Sequence, residues 1–163
     1  MTAEPSRETT IEADPEVPTI RITREFSAPR AAVFRAWTDP DLVAQWLGPK
    51  DTTMKIDAWD LRSGGGYRYR AIRDGEEIAS FYGSFHEVRP ESRLVQTFTF
   101  EGVPDGVSLD TATFEELGDG RTRVTIVGVV ESFLARDAIL AGGMEHGVVE
   151  GYERLDALLP TLR

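Results

Sequence analysis

His86 and His146 are the two imidazoles the sequence offers for acid–base work. His86 alternates with Tyr82 and Ser84 along a stretch that reads as a strand, so the three share one face. A serine two residues from a histidine lacks the third, orienting group that nucleophilic catalysis uses. His146 follows Glu145, and adjacent helical residues point to different faces, so no Glu–His relay is implied. The sequence has no cysteine, which removes disulfides, thiolate nucleophiles and Cys-ligated metals. No three or four ligand-type residues converge as a metal would require. The Asp-Gly pairs at 74–75, 105–106 and 119–120 lie in loops too short for calcium. Gly64, Gly65 and Gly66 precede no helix and make a turn, not a phosphate cradle. No cofactor and no catalytic residue is assigned.

Polar residues set among apolar ones offer a different chemistry, that of binding. Leu94, Gln96, Phe98 and Phe100 share one strand parity, as do Tyr67, Tyr69 and Ala71. Val124, Ile126, Gly128 and Val130 make a third set, and Met54, Ile56, Ala58 and Asp60 a fourth. Most of these are ordinary core. The exceptions are Gln96, Asp60, Arg24 and the two tyrosine hydroxyls, because a buried polar group without a partner costs about 1–3 kcal/mol. Arg24 and Asp60 are expected to form an internal ion pair or, alternatively, to orient the polar end of a ligand. Gly147 and Gly151 lie four apart on one helical side, each costing about 1 kcal/mol of propensity relative to alanine. They either leave a cavity between helix and sheet or admit close backbone approach. Trp46, at the end of a short helix, either gates such a cavity or packs that helix.

The elements that must position these residues follow from periodicity. Residues 1–17 carry five acids against Arg7, two prolines and no aromatic residue, and read as a mobile acidic tail. Residues 19–26 alternate as a strand. Ser27, Ala28 and Pro29 open a helix carrying Val33, Phe34 and Trp37, and residues 41–47 form a second, ended by Gly48 and Pro49. Strands are expected over 53–61, 67–73, 77–88, 93–100, 109–117 and 121–130. Their short connections favour antiparallel neighbours. Residues 133–159 are helix-like, interrupted at Gly142 and Gly143, and carry an apolar stripe. The class is α+β: a curved antiparallel sheet of seven strands, ordered β-α-α-β6-α, wrapping a long C-terminal helix.

Composition narrows the setting. The 163 residues fit one domain, expected over 18–163. The net charge of −10 argues against nucleic-acid contacts and against an anionic membrane surface. No apolar run is long enough to span a bilayer, and the N-terminus lacks signal-peptide regions. A cytoplasmic protein is expected.

Several motifs together resemble a known family. They run from Ala28-Pro29, through 33–40, Gln45-Trp46-Leu47-Gly48-Pro49 and 60–65, to 81–85 and 89–97. They end with Ala135-Arg136-Asp137, the 142–147 segment and 155–159. In this order they resemble the helix-grip superfamily of START domains, birch-pollen-allergen-like proteins and polyketide cyclases. Within it the sequence is most similar to the family named after the C-terminal domain of the heat-shock-protein-90 ATPase activator. Val148 stands where relatives often carry tryptophan, and Gln96 where they often carry an aromatic residue.

The resemblance implies a cavity between sheet and C-terminal helix that binds a small apolar or aromatic molecule. Its candidate lining is Trp46, Asp60, Tyr67, Tyr69, Gln96, Phe98, Phe100, Gly147, Val148 and Gly151. A second reading, implied by the family name, is an interaction protein that modulates a chaperone in a stress response. A third is a cyclase- or dehydratase-type enzyme in which a Tyr, His or Asp moves a proton.

Overall fold

A computed structural model describes residues 8–162. Alternating apolar and polar residues give eight strands: β1 (Thr10–Ala13), β2 (Thr19–Phe26), β3 (Thr53–Trp59), β4 (Gly66–Arg73), β5 (Glu76–Arg89), β6 (Arg93–Phe100), β7 (Ser108–Gly118) and β8 (Arg121–Val129). They form one open antiparallel sheet in the order β1-β2-β8-β7-β6-β5-β4-β3. The helices are α1 (Arg30–Thr38), α2 (Pro40–Trp46), α3 (Phe133–Ala141) and α4 (Met144–Leu158). The expected α+β class and its order hold from residue 19 onward.

The sheet has an eighth strand that the sequence reading did not anticipate. Ile11 and Ala13 of β1 pair with Ile22 and Ile20 of β2, so part of the expected tail is sheet. Buried Arg136 explains the docking, since its guanidinium donates to the carbonyl of Asp14 at 2.5 Å. Four residues are too few for alternation to show above an acidic background. Residues 1–7 of the expected tail lie outside the described residues.

The register sets which residues face inward. Ile20, Ile22, Arg24 and Phe26 of β2 stand opposite Gly128, Ile126, Val124 and Thr122 of β8. Phe114, Ala112 and Asp110 of β7 complete the same rows. A bulge in β3 between Ile56 and Ala58 breaks the alternation. Beyond it Trp59 pairs with Tyr67 and is half-buried, while Ala58 is exposed.

The short helices cover this inner face. Asp39 caps α2, its carboxylate accepting from the Asp41 amide at 3.0 Å, and Pro40 occupies the first turn. Two indoles fasten the helix pair. Trp46 Nε1 donates to the Ala36 carbonyl at 2.9 Å, and Trp59 Nε1 to the Thr38 carbonyl at 2.8 Å. Phe26, Trp37 and Tyr152 pack with centroids 5.4–5.9 Å apart, which joins β2, α1 and α4.

α4 braces the helix pair through the loop behind it. Arg154 reaches the carbonyls of Leu47, Gly48, Pro49 and Thr52 at 3.1–3.4 Å. The α4 glycines belong to the same contact. A Cβ on Gly151 would stand 3.2 Å from the Gly48 nitrogen and the Trp46 carbonyl oxygen, whereas one on Gly147 would meet only Pro49, at 3.5 Å. Close backbone approach therefore accounts for Gly151.

These distances predict opposite outcomes. Gly147→Ala gains helix propensity at no steric cost and should stabilise by about 0.5–1 kcal/mol. Gly151→Leu forces backbone apart and should destabilise by about 1–3 kcal/mol. Urea denaturation of both variants checks the contrast.

Candidate functional site

A cavity of about 100 Å³ lies between the sheet and the α1–α2 pair. Its sheet side is formed by Trp59, Tyr67, Tyr69, Leu94, Gln96, Asp110, Ala112 and Ile126. Trp37, Val43, Trp46 and Leu47 partly cover it from above. All three tryptophans of the sequence line it. No α4 residue lines it, whereas the expectation set the cavity between sheet and C-terminal helix.

Four expected site residues come together here: Trp46, Tyr67, Tyr69 and Gln96. The other six stand elsewhere. Asp60 was nominated by its parity with Ile56, but the β3 bulge intervenes, and Asp60 is exposed and paired with Arg62 at 2.9 Å. Phe98 packs on Phe81 with centroids 5.3 Å apart, and Phe100 is 40% exposed. Gly147 and Gly151 face the α2–β3 loop, and Val148 packs against the edge of the core. Trp46 is buried and its indole is bonded, so it is a fixed wall of the cavity and not a gate.

The expected Arg24–Asp60 pair is also replaced. Buried Arg24 makes a two-pronged bond to Asp156 of α4, at 2.9 and 2.5 Å. His86 is exposed on β5, and exposed His146 lies 3.2 Å from Glu150; neither lines the cavity.

The polar groups of the cavity form a short row across the sheet. Gln96 stands directly opposite Asp110, and Asp110 opposite Gly128. Gln96 Nε2 donates to the Tyr67 hydroxyl at 3.1 Å, and that hydroxyl donates to the Thr97 carbonyl at 2.6 Å. Two glycines make room for this row. A Cβ on Gly83 would lie 2.6 Å from the Tyr67 hydroxyl, and one on Gly128 would lie 2.8 Å from Asp110 Oδ1. Ser108 donates its hydroxyl to Asp110. The Tyr69 hydroxyl has no hydrogen-bond partner among the described residues.

Asp110 is the functional candidate that the sequence reading missed. The signal was present: an aspartate on the inward parity of Ala112 and Phe114, opposite a strand glycine. Desolvation raises its pKa to about 6, against the lowering effect of the Ser108 hydroxyl. Burial likewise drives both tyrosine hydroxyls upward, with the Asp110 charge adding to each, so both stay neutral. The arrangement is an apolar, aromatic cavity holding two neutral phenols, one amide and one carboxylate.

A family model described as "Activator of Hsp90 ATPase homolog 1-like protein" matches residues 27–160. The chain belongs to this family. No curated protein matches it. Protein Ms6760 from Mycobacterium smegmatis is similar at 29% identity with a TM-score of 0.83, covering 93% of this chain and 97% of its own. Protein CV1439 from Chromobacterium violaceum is 32% identical with a TM-score of 0.76, over 87% and 96% of the two chains. A protein from Arthrobacter aurescens is 28% identical with a TM-score of 0.84, over 93% and 91%. These members of the activator-like family share the helix-grip fold, which commonly binds ligands. Among the described residues, no helix is long and apolar enough to cross a membrane.

Two predictions test these placements. A raised carboxylate pKa means the folded state holds its proton more tightly than the unfolded chain. Stability therefore falls as pH rises from about 4 to 6, and the deficit persists above that range. Asp110→Asn should raise stability by about 1–3 kcal/mol at pH 7.5 and by little at pH 4, read from urea midpoints across that range. Asp156→Ala leaves buried Arg24 unpaired and should cost about 3 kcal/mol, while Asp60→Ala should change little. Calorimetric melts of the two variants compare them directly.

Proposed function

We propose that this protein binds a small molecule in the cavity under the α1–α2 pair. The observation that carries the reading is a retained hollow whose lining is mostly apolar but holds Tyr69, Gln96 and Asp110 with unused hydrogen-bonding capacity. A core selected for stability alone would fill that space and avoid a desolvated carboxylate, since both a void and an underpaired polar group are costly. Apolar walls with a few oriented polar groups are the usual composition of a ligand site.

The size of the hollow limits the ligand. About 100 Å³ is below the roughly 300–1,000 Å³ of ordinary pockets. It is also smaller than the ~150 Å³ cavity that accommodates benzene. The site suits a compact molecule, or the head of a longer one whose remainder lies outside. Its apolar body would contact the indoles and its polar end the Gln96–Asp110 pair.

Three tryptophans in the wall make intrinsic fluorescence a direct reporter of occupancy. Native mass spectrometry of the purified protein should show a bound small molecule. Ala112→Leu, which pushes a larger side chain into the hollow, should abolish the adduct while leaving the far-ultraviolet circular dichroism unchanged. A wild-type spectrum free of adduct, with no ligand in a broad screen moving the emission, would remove the proposal.

A further inference from the structure

The charge of the ligand can be read from what the cavity has and what it lacks. Five of its twelve lining residues are aromatic. Trp37 and Trp46 stand together on the helix side, centroids 4.7 Å apart. Trp59, Tyr67 and Tyr69 follow one another on the sheet side at 5.7 and 6.0 Å. Aromatic faces carry negative electrostatic potential and attract cations, most strongly where water is excluded. Among the described residues of the lining Asp110 is the only charged one, and the lining holds no Lys, Arg or His.

The hydrogen-bond partner of that carboxylate is the neutral Ser108 hydroxyl. The fold invests backbone in keeping it there, since the strand opposite carries Gly128 where any side chain would collide with Oδ1. Asp110 is half-buried, and an anion partly withdrawn from water without a counter-ion is unfavourable; a ligand that brings a positive charge reduces the penalty. With a pKa of about 6, the group is mostly ionised at neutral pH and available for pairing.

We propose, building on the ligand-binding reading above, that the cavity receives the methylated ammonium group of a small organic cation, balanced by Asp110 and enclosed by the indole and phenol rings. A metal cation fits poorly, because its ligands would have to be oxygen atoms and the walls are mostly rings and aliphatic groups. A quaternary ammonium needs no hydrogen bonds from the walls. A hollow of about 100 Å³ limits the part that enters to the ammonium head, with the rest of the molecule outside. The net charge of −10 favours approach of cations from solution.

The test uses choline and 3,3-dimethyl-1-butanol, which have nearly the same shape and differ in charge. Each is titrated at pH 7.5 into the wild-type protein and Asp110→Asn, followed by tryptophan emission and calorimetry. Choline is expected to bind the wild type at least tenfold more tightly than the alcohol, and Asp110→Asn to erase most of that difference. Equal or tighter binding of the alcohol overturns the charge assignment while leaving cavity binding intact. Retention of the full preference in Asp110→Asn overturns the role of the carboxylate. If neither probe binds, the ammonium assignment fails; an adduct of another kind in the native mass spectrum would then preserve the broader reading, and an empty spectrum would end both.

Discussion

A curved antiparallel sheet cannot cover its own concave face, and the rest of this structure depends on how that face is roofed. The roof is the α1–α2 pair, too short to hold itself by propensity. It is fixed by two indole hydrogen bonds, from Trp46 to Ala36 and from Trp59 to Thr38. One runs between the helices and the other from the sheet to the helix above it. Large rigid rings thus act as spacers as well as fillers. Helix α4 braces the assembly through Arg154, the close approach of Gly151 to the loop after α2, and buried Tyr152 against Phe26 and Trp37. The C-terminal helix secures the cavity without lining it.

Beneath the roof, polar groups sit where an interior built only for stability would be apolar. The row Gln96, Asp110, Gly128 crosses three neighbouring strands, and the Tyr67 hydroxyl reaches a backbone carbonyl over Gly83. At Gly128 side-chain packing gives way to the Asp110 carboxylate, while at Gly83 a Cβ would also meet the Thr97 carbonyl oxygen. Such sacrifices are characteristic of sites, where local stability is exchanged for a poised group. They also explain the electrostatics, since the depth that keeps both phenols neutral is what raises the Asp110 pKa.

Most of the architecture was legible in the sequence because the inner face repeats with period two. The strands from residue 19 onward and both short helices announce themselves by alternation, turn residues and prolines. The losses have particular causes. β1 is four residues long in an acidic stretch, and its anchor, Arg136, lies far away in the chain. One extra residue in β3 reversed the parity beyond Ile56, putting Trp59 inside and Asp60 outside. Arg24 was recognised as a buried charge needing a partner, but pairing across 132 positions cannot be read from local pattern. Gly151 showed that a helical glycine signals proximity without saying to what. Tyr67, Tyr69, Gln96 and Trp46 line one cavity, as their undisturbed parity or helix position implied.

Fold and site carry different information. The family match over residues 27–160 accounts for the scaffold, and scaffolds of one kind serve many ligands. The cavity's dimensions and charge rest on a handful of side chains on that scaffold. Ala112 is small and sits between Leu94 and Ile126, so the floor of the cavity is low at that point. Gln96 holds the Tyr67 hydroxyl with its amide, leaving Asp110 bonded to Ser108. The volume is set by residues that pack, and the charge by one that cannot find a counter-ion within the lining. Size and charge are therefore controlled by separate positions, Ala112 and Asp110, so a change at one can alter the volume of the cavity without altering its charge.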